Sequence, residues 1–597
     1  MARVLAVVAA RLNSSRLPGK QLLALAGEPL IARIFQRLEQ LSEIDEVVLA
    51  TTADEYNQPL LEWAKKADKQ AFAYSGDIND VVGRVDAVVQ AYGADIVVFC
   101  CGDSPLIEPS TLSKMISALQ KNPEAAYVAL HPASTGNTTI HEGFYPYTRQ
   151  VWQRLVSEST TTQLREHVGL VIPTFVAELK QCYVDDLAIF SRIKQRISVD
   201  TVADYQFMSE LYRRWYAENE PQSIVSLPWV IEQLEEDRAL AALNSEVQQR
   251  SPDHAPMRVL VVTQCGERVG LGHLTRSGVV VRRLQEQLAA TVTLLVQGDT
   301  VDAAATELLP KTTLGWSESL AEKVIEWCEK NPVDVVIFDL ALIDNAADLS
   351  KMLQRLEGET VRVAIDGLFE FSAHLEYIHV PSFYLSPEIS QKTDPTKISY
   401  GWDHYLLPNV EKTVPFQPGR RLLVMTGGSD LGALGEQWPA MLDEQLTESM
   451  EIIWIKGPFA APPVIPHSSH HQWQVLENPA DLLSIMTNCH YALSVYGVSF
   501  FELLQRGVPT VVLGVEGKPQ EMAALKKADV ATVAATPIEA VQQLPLLMNN
   551  PEQLANYQHR APSLMGQQSG ASRLATRLQL LTNKSNGSLL EEALNNS

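Results

Sequence analysis

The chain has 597 residues, of which 46% are hydrophobic and 20% charged, with a formal net charge of -23. Such a length exceeds what one hydrophobic core organises and points to about two to four domains. The acidic balance excludes a general nucleic-acid binder, which needs a broad basic face. No uninterrupted apolar run is long enough to span a bilayer. The opening "MARVLAVVAARLNSSR" lacks the form of a signal peptide and reads as a first strand. Six scattered cysteines without a C-x-x-C pair fit a reducing, cytoplasmic compartment.

In chain order, "RVLAVVAA", "DEVVLATT" (45–52) and "ADIVVFCCGD" (94–103) are continuous apolar runs. Amphipathic stretches such as "PLIARIFQRLEQL" and "VVGRVDAVVQAYG" separate them. This alternation predicts a parallel sheet covered on both faces, a Rossmann-like domain over 1–245. The polar, proline-ending stretch around 246–256 reads as a linker. The pattern restarts with "RVLVVTQ", "ATVTLLVQGD", "DVVIFDL" and "VRVAIDGL", a second Rossmann-like unit over 257–408. "PNVEKTVPFQPGR" interrupts it. "RLLVMTGGSD", "EIIWIKG", "HYALSV" and "PTVVLGV" then form a third unit over 409–583, ahead of a polar tail, 584–597. The fold class is α/β throughout.

The loop after the first strand, "ARLNSSRLPGK" (10–20), collects Arg11, Arg16 and Lys20 beside Ser14 and Ser15. A loop at the carboxyl end of the first strand of an open sheet is where such folds bind ligands, and cations with backbone amides suit a polyphosphate. It is not a Walker loop, because Gln21 stands where a magnesium-holding Ser or Thr would follow the lysine. "A-R-x-x-S-S-R-L-P-G-K" resembles the signature of the cytidylyltransferases that activate acidic sugars, and within them the spore coat polysaccharide biosynthesis branch. "VVLATT", "GDINDVVGR", "GADIVVFCCGDSPLIEP", "LREHVGL" and "RISVDTVADY" follow in that family's order over about residues 1–250. The resemblance implies a nucleotidyltransferase domain in which a sugar hydroxyl attacks the α-phosphate of CTP and pyrophosphate leaves. It gives Lys20 and Arg16 catalytic roles, and nucleotide contacts to Arg11, Ser14 and Arg84. Arg84 and His167 match family positions near the sugar. Asp103 and Asp200 become the carboxylates for Mg2+, a hard cation suited to oxygen ligands. Asp204 reads as a cap of the following helix. Phe99 and Cys100 replace the more polar residues that members often carry before "GD".

In the second half, "ERVGLGHLTRSGVVVRRLQEQL" (267–288) runs from a strand-end loop into a helix with His273 at its start. There the dipole favours the neutral, basic imidazole, and the free amides can hold phosphate. "SVYGVSFFELLQRGVP" (494–509) opens another helix, where Gly497, Ser499 and Glu502 could cradle a diphosphate and bind a ribose. Together these stretches resemble the two-Rossmann, glycosyltransferase-B-like architecture, and within it the UDP-sugar hydrolase family of the pseudaminic acid pathway. "VIFDLALID", "AIDGL" and "LLVMTGGSD" fall in the same order. The resemblance implies that His273 activates water at the anomeric carbon, and that Glu502 and the amides near Gly428 and Ser499 hold the UDP part. Departures stand beside it. Leu340, Ala341 and Leu342 replace the family's histidine–tyrosine pair, Pro519–Gln520 replaces an asparagine–glutamine pair, and "VVTQCGE" lacks the early aspartate. Three outcomes stay open: a different sugar, a different acceptor, or a half that only binds. The expected partners are CTP with an acidic sugar and a UDP-sugar; cytidylyltransferases of this type often form homodimers, and the sequence leaves the assembly of this chain open. Joined in one chain, the two families imply supply of a nonulosonic acid.

Overall fold

The computed structural model describes residues 2–585 apart from 132–137, 251–254, 300–305, 409–417, 431, 478, 480–481 and 567. Contacts divide the chain between Pro256 and Met257 into two units. The expected linker is not free along its whole length: Arg250 within it donates to Ser15 Oγ at 3.0 Å, and the residues just before it are anchored too. Asn244, 2% exposed, donates to the Asp204 carboxylate at 2.9 Å and to the Arg196 carbonyl at 3.1 Å. Beyond Ser585 the expected tail lies outside the described residues.

In the first unit, Gln70–Tyr74, Glu46–Thr52, Val4–Ala9, Ile96–Cys101 and Phe144–Thr148 lie side by side in that order. The central strand is buried from Val4 to Val8, as its unbroken apolar run requires. Its neighbours contribute Val48, Ala50 and Val97, and the helices add Val85, Val88, Trp152 and Leu155 to one core. The sheet differs from the expected all-parallel one, since Phe144–Thr148 runs antiparallel to Ile96–Cys101. Pro146 explains its place: without an N–H it suits only an edge. Ala9 stands opposite Cys101, so the loops that follow these two strands emerge together. Those loops carry Arg11 to Lys20 and Asp103.

The second unit holds two sheets that are parallel throughout. The first has the order Lys311–Leu314, Thr291–Gly298, Arg258–Cys265, Val335–Asp339, Val361–Ile365, Tyr377–Val380, Ile398–Tyr400. The other has the order Gln472–Glu477, Glu451–Lys456, Arg421–Met425, Tyr491–Val495, Thr510–Leu513, Thr532–Ala534. Numbered along the chain, both run third, second, first, fourth, fifth, sixth, with a seventh strand added at the end of the first sheet; this is the doubly wound Rossmann order with its switch point beside the first strand. The last helix departs from the expected division. Gly570–Ser585 leaves the second sheet and packs on Gly272–Gln287 of the first. Its buried Ala571, Leu574, Ala575 and Leu578 recur at helical spacing and form the stripe that this neighbour covers. Gln287 donates to Thr576 at 3.3 Å, and Arg577 donates to the Thr396 carbonyl at 3.1 Å.

Candidate functional site

The arginine-rich loop is a closed structure. The Leu12 carbonyl accepts from the Ser14 and Gly19 amides at 2.9 and 2.7 Å, and the Leu12 amide donates to Asn57 Oδ1 at 2.7 Å. Leu12 and Leu17 are buried beneath it. Gly19 sits at φ 71° with open space where a Cβ would be, so the need for glycine is conformational. This turn sends the Lys20 side chain inward.

Lys20 is 5% exposed, and its ammonium spends all three donors: on Asp103 Oδ2 at 2.8 Å, Asp200 Oδ1 at 2.7 Å and the Val199 carbonyl at 2.7 Å. Burial alone would pull its pKa down, but Asp103 and Asp200 outweigh burial and hold it above the ordinary lysine value. Burial likewise pushes the Asp200 carboxyl up, yet Lys20, Arg16 and Arg196 together hold it well below the usual carboxylate range. Arg16 Nη2 lies 3.0 Å from Asp200 Oδ2, and Arg196 bonds the same oxygen. The structure therefore brings Arg16, Lys20, Asp103 and Asp200 together. Arg196 joins them, although the sequence reading did not name it; its signal was the i, i+4 spacing to Asp200 in "RISVD". Asp204 completes a capping box with Thr201, as its position suggested, and also receives Arg196. Two carboxylates converge on one cation, here the Lys20 ammonium. An all-oxygen donor pair of this kind fits Mg2+ better than a softer metal.

Gly102 sets Asp103 in place. Its amide donates to the Ala9 carbonyl at 2.9 Å, and a Cβ at 102 would stand 2.6 Å from that oxygen. Gly102→Ala must push the two strand ends apart and shift Asp103. We expect at least about a tenfold loss of activity, since small misplacements of reacting groups are costly. Turnover by Gly102→Ala beside that of the wild type checks this.

Around the loop the other cations are placed unequally. Arg11 donates to Asn79 Oδ1 at 2.6 Å and to the Ile78 carbonyl at 3.1 Å, and pairs with Glu166 at 3.2 Å. Arg84 is 2% exposed, and among the described residues its Nε and Nη1 have no hydrogen-bond partner. Burial first, then the charge of Arg11, pushes Arg84 down to about 10. Arg16 Nη1 is also without a partner among the described residues. These buried, unused N–H groups call for acceptor oxygens. Ser14 stays local, its hydroxyl accepting the Leu17 amide at 3.3 Å, and His167 is exposed.

In the second unit His273 is the second residue of the helix Gly272–Gln287. Its Nδ1 lies 2.6 Å from Oδ1 of Asp339, the fully buried last residue of a strand. Arg276 grips that carboxylate at 2.8 and 2.5 Å, and Ser277 donates to it at 3.1 Å. Burial pushes Asp339 up, but Arg276 and then His273 outweigh it and hold the carboxyl below its usual value. A carboxylate only accepts, so the proton shared with Asp339 sits on Nδ1 and the other ring nitrogen is left for other partners. The sequence named His273 but not Asp339, whose signal is the strand-end position of "FD".

Three glycine loops meet near His273. A Cβ on Gly428 would lie 3.8 Å from the Leu271 amide, and one on Gly272 would lie 3.7 Å from Val498, next to Gly497. Ser499 and Glu502 pair within their own helix; Glu502 is 5% exposed, and burial pushes its carboxyl up. In the altered "LAL" stretch, Gln264 Oε1 accepts the Ala341 and Leu342 amides, each at 2.9 Å. Gln520 accepts from the Tyr384 hydroxyl at 2.7 Å. A cavity of about 730 Å³ opens beside Arg276, Asp366 and Gly497 and is otherwise walled largely by apolar groups such as Leu385, Phe501 and Val515. All six cysteines are free, and among the described residues no helix is long and apolar enough to cross a membrane.

Residues 5–246 match the family model described as cytidylyltransferase. The 3-deoxy-manno-octulosonate cytidylyltransferase of Geobacter sulfurreducens is 29% identical over 191 residues, covering 28% of this chain and 75% of that protein. The spore coat polysaccharide biosynthesis protein SpsF of Bacillus subtilis is 25% identical over 217 residues, 35% of this chain and 87% of that protein. The glycosyltransferase SnogD from Streptomyces nogalater aligns with 55% of this chain and 100% of its own at 14% identity, with a TM-score of 0.38.

Proposed function

We propose that this chain, whose residues 5–246 form a cytidylyltransferase-family domain, transfers CMP from CTP to an acidic sugar and releases pyrophosphate. The observation that carries this reading is the buried Lys20 held between Asp103 and Asp200 with Arg16 alongside. In the reaction a sugar hydroxyl oxygen bonds to the α-phosphorus as the bond to the β-phosphate oxygen breaks. Asp103 and Asp200 would hold Mg2+, which supplies charge neutralisation for the triphosphate. Lys20 and Arg16 place fixed positive charge where negative charge develops, and Arg11 and Arg84 orient the nucleotide. The relative that acts on 3-deoxy-manno-octulosonate supports an acidic acceptor. The test is pyrophosphate release from each of the four NTPs with magnesium and a panel of 2-keto acidic sugars. CTP-specific release is expected; release from another NTP, or none with CTP across the panel, overturns the reading.

For the second unit we propose hydrolysis of a UDP-linked amino sugar, with His273 as general base held by Asp339. The Gly428 and Gly497 loops would face the diphosphate, and both activities would serve one nonulosonic acid supply. The cavity beside Gly497 favours a second reading, glycosyl transfer to an acceptor seated there. UDP release in water alone supports hydrolysis; release only after an acceptor is added supports transfer.

A further inference from the structure

Arg250 lies past residue 246, where the family match ends, on the stretch that leads to the second unit. It is nevertheless drawn onto the nucleotide loop of the first. Its Nη1 donates to Ser15 Oγ at 3.0 Å, and most of the guanidinium is out of solvent. The charges that act on it most are those of Arg16, Asp200, Glu166 and Arg11. Burial, then Arg16, pushes Arg250 down to about 10. Asn244 anchors the approach by bonding Asp204 and the Arg196 carbonyl.

An arginine on a polar segment ordinarily keeps its head in water. Here it lies within influence of two like charges, Arg11 and Arg16, in a neighbourhood where Arg84 and Arg16 already hold buried N–H groups without partners among the described residues. Asp200 and Glu166 offset part of that repulsion, and a polyanion bound there would offset more of it.

We infer that Arg250 is a further cation of the triphosphate site, supplied to the cytidylyltransferase-family domain by the segment that follows it. The inference rests on the proposed use of CTP, and it assigns Arg250 to the phosphates rather than to the base or the sugar.

The test measures binding of CTP, CMP and inorganic tripolyphosphate to the full-length wild type, Arg250→Gln and Arg250→Lys by calorimetry. Loss of one charge-assisted contact should weaken CTP and tripolyphosphate by about tenfold in Arg250→Gln, with CMP changed by less than about twofold. Arg250→Lys should recover part of the loss. Equal weakening of CTP and CMP would mean that Arg250 only supports the loop, and unchanged tripolyphosphate binding would mean that it does not meet phosphate; either overturns the inference. If the wild type binds tripolyphosphate but not CTP, the CTP reading fails, while the comparison of the variants on tripolyphosphate still decides the role of Arg250.

Discussion

Asp103→Ala should lower CTP-dependent pyrophosphate release by at least about a thousandfold, equivalent to ~4 kcal/mol of lost transition-state stabilisation. The carboxylate stands at the carboxyl end of the strand Ile96–Cys101 and shares the Lys20 ammonium with Asp200. Removing it leaves Lys20 bonded to Asp200 and to the Val199 carbonyl, so the lysine stays paired and the fold should hold. Asp103 is a quarter exposed on its side chain, unlike Lys20, and its loss opens no core cavity. Lys20→Met would be a poorer test, because two carboxylates would then face each other without the cation between them. Circular dichroism and a melting curve on Asp103→Ala should match the wild type while turnover collapses. Turnover above a tenth of the wild-type rate would remove Asp103 from the reacting centre.

The second large effect belongs to His273. His273→Ala should slow UDP release from a UDP-amino sugar by roughly 10²–10⁴-fold, the range of a general base, with UDP affinity little changed. Asp339→Asn should behave differently. Asp339 is fully buried and carries Arg276, Ser277 and His273 at once, so its neutralisation strands the Arg276 charge. Breaking a buried pair costs about 3–5 kcal/mol, and this variant should therefore lose folding stability together with activity. If His273→Ala keeps full turnover, the imidazole is a helix-start residue and the second unit catalyses by other groups or not at all.

What the sequence revealed follows the range of its signals. Strands such as "RVLAVVAA" and "RVLVVTQ" are continuous apolar runs, and a buried parallel strand has no other way to be written. Lys20, Arg16, Asp103 and Asp200 were legible because motif order carries them, and the register of Ala9 with Cys101 brings two of those loops together. The antiparallel strand Phe144–Thr148 was not, since direction depends on where the preceding chain exits and not on its five residues. Asp339 escaped because its partner, an imidazole 66 residues away in sequence, is brought to it only by the fold, and Arg196 escaped because its i, i+4 spacing to Asp200 is a weak signal until both are seen at the site. Arg250 sat in a stretch whose composition says linker, and composition carries no information about what a long side chain reaches. The last helix fell within the bounds given to the third unit for a related reason, since an apolar stripe declares that it is covered but not by what.

That last helix changes what kind of joint the second unit has. The polypeptide passes from one Rossmann sheet to the other between Tyr400 and Arg421, and returns after Met565 so that Gly570–Ser585 can lie on the first. Two crossings behave like two pins of a door. They leave the halves less freedom to slide or tumble past one another than a single crossing would. The cavity edge draws Gly497 and Arg276 from opposite halves, so the carboxyl-terminal segment helps to set how far apart they stand.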